Sequence, residues 1–501
     1  MYRRAAIALL SFVFLVSVYR AASQSITTDE AFAHNLFLAG SLSRLLGNYD
    51  ASHHILYSIL AKISISVFGL SEFTLRLPSL LGCLLYLAAA FRLLRRLLPE
   101  GPILLLLLGL LTLNPHLMDF MSAARGYGLA VALLLWSVER ALTFIETAES
   151  GPLYQTALVL SFCVSANLTL LIPASSLAGI LFLLVCFDRR LGGDISVRRR
   201  IWRGVDGFAV PGIVTAFVVS ILPLTKARQE HFYVGEQTAD KSLESLAELS
   251  LFHHPLPAWI GGLLPGPSFW HPLLKVLVPA VLIATGGVCI ASIVRWRRRG
   301  SISALDFPAR VVLLAGGSLL LSVLLLAGLH HAVGMLYPQY RTGLYLPPLF
   351  VLTLAAVWRT LRHRRRAALS LGIPLAAVGL PALVHFVAAF QIDHYAEWRF
   401  DRSTKRIVQL IRERQSRSPL PEARVGANWM LEPTLNFYRR LYGMNWMIPV
   451  ERGSPDGDFD YYVLLPEDYH VAKKRDLTVL YSDPFSGARL AAARRQAQTG
   501  G

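Results

Sequence analysis

Apolar residues in this chain come repeatedly in runs of 17 to 22, and the charged residues are crowded into the gaps between the runs. A helix needs roughly 20 residues to cross ~30 Å of bilayer hydrocarbon, and in lipid a backbone must satisfy its own hydrogen bonds. Runs of this kind become membrane-crossing helices. The whole chain agrees: 54% of its 501 residues are hydrophobic and its mean hydropathy is +0.47, too apolar for a string of soluble domains.

Eleven spans are expected, near 5–22, 73–97, 102–118, 126–145, 153–169, 171–187, 206–223, 273–294, 309–329, 343–358 and 367–390. The first follows Arg3 and Arg4 but has no small-x-small cleavage site leading into a soluble domain, so it reads as a retained span. Alternate gaps differ sharply in charge. Those at 3–4, 92–96, 189–203, 295–299 and 359–366 hold twenty arginines, whereas the others hold seven basic residues, from Arg44 to Arg341. The positive-inside rule makes the first set cytoplasmic. The apolar block 153–187 then has to be a hairpin of two short spans broken near Asn167 to Pro173. The N-terminus is expected inside the cell membrane and the C-terminus outside.

The net charge of +17 does not point to nucleic acid, because the arginines sit beside apolar runs, where they set topology and meet anionic lipid. The four cysteines lie within apolar runs and read as packing residues.

Three outer segments are long enough to carry chemistry. In the first, 23–72, the stretches 29–46 and 54–68 are amphipathic and expected to lie along the membrane surface. The second, 224–272, is rich in proline and reads as an irregular loop or lid. The third, 391–501, has the composition of a small soluble α/β domain, with helix at 401–415, a second helix opened by Pro433, and strands at 461–465 and 477–481. The fold class expected is an all-α polytopic membrane bundle, 1–390, carrying a C-terminal extracytoplasmic α/β domain, 391–501.

Directly after the first span stands Thr27-Thr28-Asp29-Glu30. Paired carboxylates at a membrane boundary are costly without a purpose, although Asp29 also suits the cap of the helix that follows, with Glu30 in its first turn favouring the dipole. Further along come Asp50 to Tyr57 with His53-His54, then Phe68-Gly69 to Arg76, and, after the third span, Asn114-Pro115, Asp119 and Arg125-Gly126-Tyr127. Acidic, imidazole and guanidinium groups thus gather at one end of the early spans. Arg76, Arg125 and Arg341 also suit the role of headgroup anchors, Asp119 that of a partner for Arg125. His253-His254 and His330-His331 lack metal-ligand spacing.

The order of these elements resembles the GT-C superfamily of polyprenyl-phosphate-sugar-dependent glycosyltransferases, of the protein O-mannosyltransferase and aminoarabinose transferase type. The matching residues are Asp29-Glu30, His53-His54-Ile55-Leu56, Phe68-Gly69, Arg76, Arg125-Gly126-Tyr127, and Tyr340-Arg341 with Leu346-Pro347-Pro348. The likeness is specific over about the first 190 residues; the family's diproline is replaced by His54-Ile55.

The resemblance implies transfer of a sugar from a polyprenyl-phosphate donor, with inversion, to a lipid, glycan or protein acceptor on the extracytoplasmic face. Asp29 would be the general base, with Glu30 sharing that role or orienting it. His53, His54, Arg125 and Arg341 would meet the leaving lipid phosphate. Tyr127 and Tyr340 belong to the same motifs. Some relatives use a divalent metal between the first two outer loops; Asp29 and Asp119 would be the oxygen pair here, and two carboxylates are too few to assign a metal site. Two rivals share the polytopic pattern. A transporter or flippase would carry ionisable groups mid-membrane, and a polymerase or ligase of lipid-linked glycans would not need the carboxylate pair.

Overall fold

The computed structural model describes residues 1–228, 234–252, 264–362 and 365–493, with 365–374 traced by backbone alone. Glu230, His253-His254, Pro255 and Pro257 lie outside the described residues. Every apolar run expected to cross the membrane contains helix, two of them broken near their ends. Among the described residues, eight helices are long and apolar enough to do so: Tyr2–Ser23, Glu72–Leu97, Gly126–Thr147, Leu168–Phe187, Val197–Leu224, Pro267–Arg299, Phe307–Val333 and Tyr340–Leu361. The chain is a multi-pass integral membrane protein.

The run 102–118 departs from expectation. Its helix, Pro102–Thr112, stops after about three turns, and a second short helix, Pro115–Phe120, follows. Pro115 has no N–H to continue the ladder and drives Asn114 out of the helical region, to ψ 120°. Asn114 then caps the new helix by accepting the Leu117 N–H at 3.1 Å. The block 153–187 breaks where expected. Helix Ser150–Ala166 ends at Asn167, which is extended (φ −159°) and turns its side chain to the Thr169 N–H at 2.9 Å.

The chain folds as two compact units. The first comprises Met1–Ser17, His54–Tyr57 and Pro78–Phe390, and contains most of the membrane helices. Close helix approach within it is allowed by small residues: a Cβ on Gly82 would stand 2.8 Å from Leu129 Cα. Glu139, buried on helix Gly126–Thr147, binds Arg92 at 2.7 Å and also pairs with Arg140.

The second unit comprises Val18–His53, Ser58–Leu77 and Gln391–Gly501. Here the first loop and the C-terminal segment fold together. The loop supplies helix Thr28–Ala33, a wider turn His34–Leu38, and helix Leu42–Gly47 capped by Ser41. The C-terminal segment supplies helices Thr404–Arg417 and Glu432–Leu441, with Pro433 in the first turn of the second. Its sheet has four strands, β1 (Val425–Ala427), β2 (Tyr461–Leu464), β3 (Thr478–Ser482) and β4 (Arg489–Ala492), in the order β1-β2-β4-β3. β1 and β2 are parallel and the remaining pairs antiparallel. The strands expected at 461–465 and 477–481 are β2 and β3; β1 and β4 were not anticipated.

Candidate functional site

The second unit holds the carboxylate pair. Thr27 precedes helix Thr28–Ala33 in an extended conformation (φ −89°, ψ 158°), and its side chain accepts the Glu30 N–H while Glu30 Oε2 accepts the Thr27 N–H at 2.8 Å. This reciprocal cap satisfies two donors that a helix start leaves orphaned. It also fixes the direction in which the first turn presents its side chains. Asp29 and Glu30 are neighbours on that turn but differ in setting: Glu30 is 1% exposed and Asp29 is half-buried.

Glu30 is fully engaged. Arg76 donates to it through Nε to Oε1 at 2.8 Å and through Nη2 to Oε2 at 2.7 Å. The same guanidinium donates to the carbonyls of Ala21 (3.2 Å), Gln24 and Ser25 (both 2.8 Å), and lies 5.3 Å from the Tyr395 ring centre. All three of its nitrogens are bonded. Arg76 therefore does not anchor headgroups; it closes the end of the first helix onto the Asp29 turn. With both oxygens of Glu30 held by donors, its contacts fit the orienting part of the role expected for it, holding the turn that carries Asp29.

The C-terminal segment clasps the same turn. Asp401 Oδ2 accepts the Thr28 N–H at 2.6 Å, and the Thr28 hydroxyl donates to the Met430 carbonyl. Asn35 Nδ2 donates to the Pro433 carbonyl at 3.0 Å. The buried Tyr438 hydroxyl accepts the Ile26 N–H at 2.8 Å and donates to Glu72 Oε1 at 3.2 Å. Arg20 and Gln24 both donate to the His394 carbonyl at 3.1 Å. None of Asp401, Met430 or Tyr438 was singled out from the sequence. Each lies roughly 370 to 410 positions from its partner, beyond the reach of any local pattern.

His53, also in this unit, is 3% exposed and stacked on Phe37 with ring centres 4.0 Å apart. Its Nδ1 stands 3.1 Å from the Asn48 carbonyl, which only accepts, so Nδ1 carries the proton. Burial holds its pKa down at about 4, against which the Asn48 bond and Asp50 pull weakly. At neutral pH the ring is uncharged, and Nε2, buried without a hydrogen-bond partner among the described residues, offers a lone pair. A phosphate needs a donor, and the Nδ1 of His53 faces the Asn48 carbonyl.

The first unit holds the remaining candidates. His54 is buried and meets the Tyr127 ring edge-on at 4.8 Å; Tyr127 in turn meets Phe120 at 5.0 Å. Gly126 has to lack a side chain, since its Cβ would fall 2.1 Å from the Ala166 carbonyl and 2.7 Å from His54 Cβ. Arg125, which precedes helix Gly126–Thr147, and Asp119, on helix Pro115–Phe120, are 2% and 1% exposed. Tyr340 has φ +44°, a left-handed backbone rare for a bulky residue, and opens the short helix Tyr340–Gly343 that carries the half-buried Arg341. Such backbone strain concentrates at functional sites.

This unit also contains an apolar cavity of about 630 Å³ lined by Leu246, Val281, Leu319, Phe350 and Phe386, with Asn114, Asp240 and Lys275 among the few polar residues on its wall. Lys275 is paired with Asp240 at 2.8 Å and Glu244 at 3.0 Å. For a divalent metal the fit is poor. Among the described residues no three His, Cys, Asp or Glu side chains converge. His330 is occupied with the Met335 carbonyl at 2.8 Å.

No family model and no curated protein matches the chain. Among solved structures it is similar to ArnT from Cupriavidus metallidurans bound to undecaprenyl phosphate, at 16% identity and a TM-score of 0.44 over 98% of each chain. It is similar also to the oligosaccharyltransferase of Archaeoglobus fulgidus, at 11% identity and a TM-score of 0.42 over 98% of this chain and 74% of that one. A third is the arabinofuranosyltransferase AftD from Mycobacteria, at 14% identity and a TM-score of 0.48, over 98% of this chain and 40% of that one.

Proposed function

We propose that the protein is a membrane glycosyltransferase that moves a sugar from a polyprenyl-phosphate donor to a hydroxyl acceptor on the extracytoplasmic face, with Asp29 as general base. The observation that carries this reading is the contrast within the carboxylate pair. Glu30 is locked by Arg76 and the Thr27 cap, and the rigid turn so made leaves Asp29 half-exposed just past the first span. A base has to be held still and remain reachable.

In the reaction the acceptor oxygen attacks the anomeric carbon as its proton passes to the Asp29 carboxylate. The bond from that carbon to the phosphate oxygen breaks, the electron pair leaves with the polyprenyl phosphate, and the configuration inverts. A nearby carboxylate also stabilises the oxocarbenium character that the sugar develops. The leaving phosphate gathers charge that guanidinium groups offset; Arg125 and Arg341 are the proposed donors. The apolar cavity of the first unit is of a size and polarity to take part of a prenyl chain. The proposed topology places the first loop and the C-terminal segment outside the cytoplasm.

The test is Asp29→Asn in purified full-length protein, offered a panel of radiolabelled polyprenyl-phosphate sugars. Donor binding retained with turnover lowered about 10²- to 10⁴-fold is expected for loss of a general base. Undiminished turnover would remove Asp29 from the chemistry.

A further inference from the structure

Helix Val197–Gly204 runs without a break into the apolar stretch that ends at Leu224, and together they make one helix of 28 residues. At ~1.5 Å per residue it reaches roughly 42 Å, about two turns more than ~30 Å of hydrocarbon. The charges tell which end carries the surplus. Arg198, Arg199, Arg200 and Arg203 fall in the first two turns, and no charged residue stands between Asp206 and Leu224. Those two turns therefore lie at headgroup level, with Val197, Ile201 and Trp202 exposed beside Arg198 and Arg199. An indole suits that depth.

Arg200 is set differently from the arginines beside it. It is 7% exposed, and its Nε and Nη1 are buried with no hydrogen-bond partner among the described residues. Its stem lies on Gly192. A Cβ on that glycine would stand 2.4 Å from Arg200 Cδ and 2.3 Å from the Val185 carbonyl, so only glycine admits the side chain. The next residue, Gly193, has φ +90°, and a Cβ there would stand 3.3 Å from Arg203 Nη1. Two guanidinium groups thus lie against one glycine pair.

The carboxylates of this region are spent elsewhere. Asp188, buried at the start of the same connection, accepts the Arg190 and Leu191 N–H groups through Oδ1, at 2.9 and 3.1 Å. Its Oδ2 accepts Trp296 Nε1 at 2.8 Å and the Ile302 N–H at 2.6 Å. Glu146 pairs with Arg96. Arg203 Nη2 reaches the Ser150 hydroxyl at 3.4 Å. A buried guanidinium needs an acceptor, because its charge is costly to enclose alone. At headgroup depth the acceptor available is a lipid phosphate, which arginine grips through two N–H groups.

We propose that Arg200 and Arg203, on the Gly192–Gly193 turn, form a binding site for the phosphate of an anionic phospholipid. Its acyl chains would lie along the exposed Ile213, Val214 and Phe217 of the same helix. A lipid of net negative charge fits better than a zwitterionic one, whose own cation the neighbouring arginines would repel. The site belongs to the first unit and does not depend on the role of Asp29.

The test uses purified full-length protein in an uncharged detergent, with phosphatidylglycerol or phosphatidylcholine added. Native mass spectrometry counts the lipid that stays bound, and thermal unfolding reads the stabilisation it brings. Wild type should hold one phosphatidylglycerol about tenfold more tightly than phosphatidylcholine, and Arg200→Met should abolish that preference. Arg200→Lys, which keeps the charge without the fork, should weaken it about threefold or more. Arg199→Gln removes an exposed charge of the same helix and should change it by about threefold at most. In detergent alone Arg200→Met should melt at or above the wild-type temperature, since the charge it removes has no partner in the protein. Arg200→Met protein that melts lower or does not fold would make Arg200 a structural residue and overturn the proposal. So would an equal loss in Arg199→Gln, which would reduce the effect to net charge. Inorganic phosphate should not stabilise wild type; stabilisation equal to that by phosphatidylglycerol would overturn the lipid assignment.

Discussion

Arg76 and Glu30 meet edge to edge, with parallel bonds of 2.8 and 2.7 Å and no exposed side-chain area on either partner. A planar guanidinium matches a carboxylate in this way, and lysine has no such fork. Desolvating two charges is expensive, and the extra bonds from Arg76 to three backbone carbonyls offset part of that cost. Removing one partner leaves the other charged and enclosed. Arg76→Met should therefore destabilise the protein by about 3–5 kcal/mol, and Glu30→Gln/Arg76→Met should recover part of the loss. Chemical unfolding of the purified single and double variants in detergent measures both.

The first loop should also be acid-sensitive. Burial holds His34 and His53 at pKa values of about 4, below their unfolded value of 6.5. The folded rings stay neutral in a range where the unfolded chain takes up protons. Their contribution to stability is whole above pH 6.5 and falls as the pH drops towards 4, at about 1.4 kcal/mol per unit for each ring. Melting temperatures taken from pH 7.5 to 4.5 should show this slope, and His53→Asn, which keeps a donor for Asn48, should flatten it. An unchanged slope in the variant would mean that His53 is protonated in the folded protein.

Tyr438→Phe removes one oxygen and strands the Ile26 N–H, while Glu72 keeps its pairing with Lys405 at 2.8 Å. A buried donor without a partner costs about 1–3 kcal/mol. Since Ile26 immediately precedes the Thr27 cap, the loss should appear as faster amide exchange over residues 24–31. Exchange confined to the C-terminal segment would contradict this.

Filling the apolar cavity should separate tail from headgroup recognition. Val281 is 3% exposed and lines the cavity, so Val281→Trp takes up space there. On the proposed function, KM for a long-chain donor rises roughly tenfold while a donor with a short prenyl chain is unaffected. Equal loss with both donors would place the tail elsewhere.

The helices were legible because the bilayer demands length and apolarity, and both are written locally in the sequence. The break at Asn167 was legible for the same reason, since 35 residues are too many for one crossing and the flanking charge fixed the sides. The run 102–118 misled because apolarity continues through Leu113 while Asn114-Pro115 ends the helix. Asp29 and Glu30 were visible as a pair, but nothing local tells which one is spent on structure; that depends on Arg76, 46 residues away. His53 looked like a phosphate ligand because imidazole in a polar loop reads as a donor. In the structure its ring stacks on Phe37 and its Nδ1 faces the Asn48 carbonyl, contacts that no local pattern shows. β1 is only three residues long, too short for alternation to register.

The pairing of Thr28 with Met430 spans 402 positions, and this separation bears on how the protein is made. At about 5–20 residues per second of synthesis, the Asp29 turn waits tens of seconds for its clasp. During that interval the first loop has its own cap and the Arg76 pair but no C-terminal support. A nascent chain is thus assembled in the bilayer well before its acidic turn is braced by Met430.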